Sequence, residues 1–210
     1  MKTKRKALLL SLCAVLLVVA SVMGTMAYLT STDTVTNTFT VGNVQIKLDE
    51  AAVNPDGTLV PNAERVKANS YKLLPGRTYI KDPTVTVKAG SESSYIKMTV
   101  TFSKAAELDA IFAPTGGANL TSIFNGYDST NWIAKGSTTA ANTRTYEFWY
   151  KETVAAPKAD VVLDALFDSI TVPGSITKEQ LATIEGLTIT VNAYAIQAAG
   201  FANAEEAWAA

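Results

Sequence analysis

Histidine occurs nowhere in the 210 residues, and the one cysteine, Cys13, sits inside an apolar leader. Without imidazole the chain lacks the usual general base at neutral pH and the commonest zinc ligand. Without a thiol beyond the leader it can form neither a disulfide nor a thiol nucleophile, so the folded part must rely on packing alone. Charge is sparse too, at 18% of residues, with Lys+Arg 18 and Asp+Glu 19. Four of the basic residues, Lys2, Lys4, Arg5 and Lys6, fall in the leader; the remainder holds 14 basic and 19 acidic residues, a net charge of −5. That balance argues against nucleic acid as a partner.

Chemistry-bearing patterns are equally scarce. Asp49-Glu50, Asp56, Asp82 and Glu205-Glu206 stand alone or in pairs, with none of the acidic spacing of a calcium loop. They read as solvated surface, turns or helix caps, and Asp82, in Lys81-Asp82-Pro83, as turn chemistry before a strand that Pro83 confines to an edge or a start. Gly116-Gly117 lacks the lysine and the strand-to-helix setting of a phosphate loop. The serines have no partner base. The expectation is a protein with no catalytic, metal or cofactor residues, and not an enzyme.

What is present begins with KTKRK at residues 2–6, followed by the 17-residue apolar run Ala7 to Met23. Small residues at Thr25 and Ala27 occupy the −3 and −1 positions of a cut before Tyr28, which reads as a secretory signal over residues 1–27. The competing reading is an uncleaved anchor, since the run reaches the lower edge of a membrane span. A lipoprotein reading of Cys13 would need a small residue where Leu12 stands. Cleavage after Ala27 leaves 183 residues, enough for one domain with a sizeable core.

That domain opens on a strand-like stretch. Threonine fills every even position from Thr30 to Thr40, and Leu29, Ser31, Asp33, Val35, Asn37, Phe39 and Val41 fall on the other face. A helix would scatter these β-branched residues around its circumference, whereas a strand accepts them. An isolated strand is not stable in water, so residues 28–41 must pair with a sheet of their own or of another molecule. Gly42-Asn43 then marks a bulge or bend, because the apolar parity switches to Val44, Ile46 and Leu48. Residues 51–70 are polar and irregular, with a turn at Asn54-Pro55-Asp56-Gly57.

Further on, Ile96, Met98, Val100 and Phe102 alternate with Tyr95, Lys97, Thr99 and Thr101, the pattern of a half-buried antiparallel strand. Strand patterns recur at Asn131 to Lys135, at Arg144 to Glu152 and at Leu187 to Ile196. Between them the period lengthens: Ala105, Leu108, Ile111 and Phe112, then Leu120, Ile123 and Phe124, predict two short helices. Thr177-Lys178-Glu179-Gln180 is a capping box opening a third, closed by Gly186, and AEEAW after Asn203 predicts a last helical turn. Strands dominate without βαβ alternation. The expected fold is mainly β, a jelly-roll-like antiparallel β-sandwich over 28–210 with a few short decorating helices.

Three separated stretches, GTMAYLTSTDTVTNTFTVGNVQIKLDE, LLPGRTYIKDPTVTVKAGSESSYIKMTV and ITVNAYAIQAAGF, together resemble the TasA/camelysin family of secreted proteins from Gram-positive bacteria. The resemblance covers most of the chain and is weakest over 104–180. It implies a jelly-roll core and cleavage by a SipW-type signal peptidase after the alanine of Gly24-Thr25-Met26-Ala27. It further implies biofilm matrix fibres in which the N-terminal strand of one subunit completes the sheet of the next, with Leu29, Val35, Phe39 and Val41 as the assembly strand. Camelysin-like members are classed as metallopeptidases, which a chain with no His and no Cys beyond the leader fits poorly.

The expected function is therefore a secreted structural protein of the extracellular matrix or cell surface. It would associate with itself and with other matrix proteins or polysaccharide. An alternative is a carbohydrate-binding, adhesin-like module, because exposed aromatics on a β-sandwich stack on sugars; Trp132, Trp149, Tyr127 and Tyr150 are the candidates, against the plainer reading that they fill the core or its lids.

Overall fold

The computed structural model describes residues 6, 12–17, 42–112 and 123–210. The cleavage residues Thr25, Ala27 and Tyr28, the assembly-strand residues Leu29, Val35, Phe39 and Val41, and Leu120 of the second expected helix lie outside them. Residues 12–17 are helical, and among the described residues no helix is long and apolar enough to cross a membrane. Residues 42–210 form a separate compact unit.

That unit is built on one long strand, β4 (Ser91–Ser103), the alternating segment expected from the sequence. Ile96, Met98, Val100 and Phe102 turn inward and are at most 1% exposed. Against one side of β4 runs β11 (Ile189–Gln197), with Ile189 opposite Phe102 and Val191 opposite Val100. On the other side lies β7 (Thr143–Tyr150), with Phe148 opposite Met98 and Tyr146 opposite Val100, and β8 (Val154–Ala156) pairs with the start of β4. β6 (Trp132–Ala140) completes the sheet beside β7, its register shifting between Ala134 and Gly136. Cross-strand neighbours thus place like side chains together over most of the inner face, with Ser94 buried at one end and Arg144 opposite Phe102 at the other. The outer face carries a row of threonines, Thr190, Thr101, Thr145 and Thr138, across four strands.

Two smaller antiparallel sheets share the core with it. One orders β1 (Ile46–Asp49), β3 (Thr84–Val87) and β9 (Val161–Val162); the other orders β2 (Thr78–Ile80), β10 (Ser169–Thr171) and β5 (Phe124–Asn125). Val85 and Val87 are fully buried against the large sheet, and Phe124 and Phe167 stack with ring centroids 3.7 Å apart. Pro83 stands just before β3, so its missing N–H costs the central strand of its sheet no ladder bond. The molecule is mainly β, with antiparallel sheets and few helices, as expected.

The helices are α1 (Ala105–Phe112), α2 (Lys178–Thr183) and α3 (Ala204–Ala209). α2 opens with the capping box: the Thr177 hydroxyl accepts from the Gln180 N–H, and the Gln180 side chain accepts from the Thr177 N–H. Asn203 caps α3 in the same sense, its side chain accepting from the Glu206 N–H. One expectation fails. Phe124 does not continue a second helix but belongs to β5, where pairing with β10 and stacking on Phe167 outweigh the three- and four-residue spacing that suggested a helix.

Candidate functional site

The two layers leave one flank open. β1 is the edge of its small sheet and β11 the edge of the large one, and the two edges face a common groove. The backbone directions follow from the ladders. Lys88 donates to the Gln45 carbonyl on the β3 side, while Glu50 exchanges both its backbone bonds with Val66 on the opposite side, so Ile46 and Leu48 also turn their N–H and C=O outward. On β11 the Thr188 carbonyl accepts from Ser103 and the Ala198 N–H donates to Ser93, which directs the backbone of Ile189, Val191, Ala193 and Ala195 away from β4. Side chains of the same residues pack on the core, so each edge offers backbone that no described residue pairs, beside apolar side chains.

The groove between them has a volume of about 1260 Å³. Its remaining walls are the chain from Val66 to Leu73 and, from α2 and its exit, Leu181, Ala182, Ile184 and Leu187. Small-molecule pockets run to roughly 1,000 Å³ at most and have few open backbone groups. A longer, strand-edged trough suits an extended peptide segment, which takes backbone hydrogen bonds from an edge and places alternate side chains in pockets.

The wall from residue 51 to 73 is tied down by buried charge. Arg65 donates from Nε to Asp49 (2.5 Å), from Nη1 to Asp82 (2.8 Å), and from Nη2 to the Thr84 hydroxyl and the Asp82 carbonyl. Beside it the Lys81 ammonium meets the Glu50 carboxylate at 2.6 Å, both groups more than 90% buried. Burial alone would raise the Asp49 pKa, but hydrogen bonds from Lys47 and Arg65 outweigh it and hold the carboxyl below its ordinary value. Burial, aided by the Glu50 charge, pushes the Tyr71 hydroxyl up. The sequence reading of Asp49, Glu50 and Asp82 as surface or simple turn residues is thus corrected: Asp49 and Glu50 are 5% and 7% exposed, and Asp82 accepts from both Arg65 and the Ala51 N–H. Asp56 does serve a turn, accepting from the Thr58 N–H and hydroxyl, and Gly57 completes it at φ +84, where an added Cβ would lie 2.6 Å from the Tyr79 ring.

The aromatic candidates divide. Trp132 is 1% exposed and donates from its indole to the Asp164 carbonyl; Tyr127 bonds the Trp132 carbonyl, and Tyr150 packs edge-on against Trp132. These three belong to the core and its margin. Trp149 lies on the outer face of the large sheet, 6.4 Å from Trp208 of α3, its indole N–H donated to Glu147 and its ring under the Lys135 ammonium at 4.0 Å. Trp208, which the sequence did not single out, has Lys97 over its ring at 4.3 Å. Among the described residues no group of three or more His, Cys, Asp or Glu side chains is placed to hold a metal ion. No protein-family model matches the chain, and neither does a curated protein or a solved structure.

Proposed function

We propose that the protein is a secreted, non-enzymatic structural component of the Gram-positive cell surface or extracellular matrix, assembling into fibres when the N-terminal strand of one subunit fills the groove of the next. The observation that carries this reading is the pair of sheet edges, unpaired among the described residues, that face one groove of mixed apolar and charged lining, in a chain whose segment 28–41 alternates with strand period. In that role Leu29, Val35, Phe39 and Val41 enter the groove, and the threonines from Thr30 to Thr40 face water. The open backbone of β11 or β1 supplies the ladder. The resemblance to the TasA/camelysin family supports the same assembly, a jelly-roll-like arrangement of the sheets, and release of the strand by a SipW-type peptidase cutting after Ala27.

Deleting Tyr28 to Thr36 tests it. The truncated protein is expected to stay folded and monomeric in electron micrographs and on a sizing column, and to bind a synthetic Tyr28–Val41 peptide. Fibres from the truncated protein would show that assembly does not need the segment, and its unfolding would place the segment inside its own sheet; either outcome overturns donor-strand assembly. A carbohydrate-binding role is the second reading, favoured by the pairing of Trp149 with Trp208. Retention of the truncated monomer on a polysaccharide column, abolished by Trp149→Ala, would establish it.

A further inference from the structure

The buried ion pair in the groove wall has a third member that the assembly role does not use. Glu50 holds Lys81 Nζ on Oε2 at 2.6 Å and Asn69 Nδ2 on Oε1 at 3.0 Å, so an amine and a carboxamide stand on the two oxygens of one carboxylate. Asn69 Oδ1 accepts the Val53 N–H at 3.0 Å, and its Nδ2 also donates to the Ala51 carbonyl at 2.9 Å. The Tyr71 ring closes one side, its centroid 6.0 Å from Nζ. Nucleophile and carboxamide thus share one proton carrier, and the carbonyl oxygen has a backbone donor.

We propose that Lys81 and Asn69 become joined by an intramolecular isopeptide bond, with Glu50 as the general base and acid. One proton crosses from Nζ to Oε2 along their 2.6 Å hydrogen bond, leaving a neutral amine and a neutral acid. The amine lone pair attacks Asn69 Cγ. As the Cγ–Nζ bond forms, negative charge moves onto Oδ1, where the Val53 N–H meets it. Glu50 delivers its proton to Nδ2, the Cγ–Nδ2 bond breaks, and the second Nζ proton follows the same route. Nζ has then lost two protons, Nδ2 has gained two and departs as ammonium, and Glu50 is again a carboxylate. Nothing is oxidised or reduced, and no co-reactant is consumed.

The bond would tie the chain before Tyr71 to the end of β2 covalently, fixing a groove wall that Arg65 otherwise holds by hydrogen bonds alone. This inference stands apart from fibre assembly, since either can hold without the other. Peptide mapping by mass spectrometry of the purified, denatured full-length protein decides it. Trypsin is expected to release a branched product linking the peptides of Asn69 and Lys81, lighter than their sum by one ammonia. Lys81→Arg keeps the ion pair but cannot acylate, and should give two separate peptides, as should Glu50→Gln. Unlinked peptides in the wild-type protein after prolonged incubation at neutral pH overturn the proposal. So does an ammonia loss that persists in Lys81→Arg, which would place it at a succinimide such as Asn125-Gly126.

Discussion

Arg65 concentrates the residue-scale argument, because one guanidinium joins Asp49 at the end of β1 to Asp82 and Thr84 at the start of β3. Asp49 is 5% exposed, so removing one of its two cationic partners leaves a buried carboxylate held by Lys47 at 2.6 Å. Breaking a fully buried pair costs roughly 3–5 kcal/mol; the Arg65 side chain is 36% exposed, so the expected loss for Arg65→Ala at neutral pH is lower, about 2 kcal/mol. The pH dependence has a definite sign. Asp49 is depressed in the folded state, so its contribution is complete above the ordinary carboxylate value and fades as pH falls through the lowered one. Urea titrations should therefore show a gap between wild type and Arg65→Ala that is wide at pH 7 and narrows in acid. A gap that is constant with pH would mean that Arg65 acts by packing its stem, not through Asp49.

The sequence held no sign of this cluster. Asp49 and Glu50 sit at the end of an alternating strand, where charges normally meet water, and their partners Arg65 and Lys81 come from an excursion and from the residue after β2. Burial of charge is a property of what folds over a residue, and pairing across such separations leaves no local pattern. Asp56 was legible for the opposite reason, since its partner Thr58 is two residues away.

At the scale of elements the same divide holds. Two-residue alternation gave β4, β7 and β11, and the capping box gave α2, because each signal is complete within a few neighbours. The strands β5, β9 and β10 are two or three residues long and exist through their partners, so no period announces them. The turn between β6 and β7 is only half signalled, because of its two residues at positive φ (48° and 60°) Asn142 is a usual marker and Ala141 is not. Its conformation is imposed from outside: the Asn142 carbonyl and side chain accept the Ala105 and Ala106 N–H groups at the start of α1. Alanine pays for that backbone in strain, so Ala141→Gly is expected to raise stability by about 0.5–1 kcal/mol in denaturant titration. A loss of stability would show that the unfolded-chain entropy of glycine exceeds the strain it relieves.

For the whole molecule the question is what would hold one subunit to the next in the proposed fibre. Segment 28–41 carries a single charged side chain, Asp33, so of the charges that line the groove, among them Lys47, Lys67, Lys72 and Glu185, it can pair with few, and what it meets is edge backbone and the apolar part of the lining. Binding made of ladder bonds and buried Leu, Val and Phe has little for salt to screen, since exposed charges farther apart than about 8 Å are largely shielded at physiological ionic strength. Had assembly rested on the acidic surface of the chain beyond its leader, it would need bridging cations or a basic partner, and salt would dissolve it. Affinity of the Tyr28–Val41 peptide for the truncated monomer should thus change by less than about threefold between low salt and 0.5 M sodium chloride, and preformed fibres should persist across that range. Replacing Val191 at the open edge by lysine should weaken the peptide far more than salt does, by about tenfold or more, because a charge placed among buried apolar groups has no partner there. If instead salt abolishes binding and Val191→Lys leaves it intact, the contact is electrostatic and lies elsewhere on the surface than this groove.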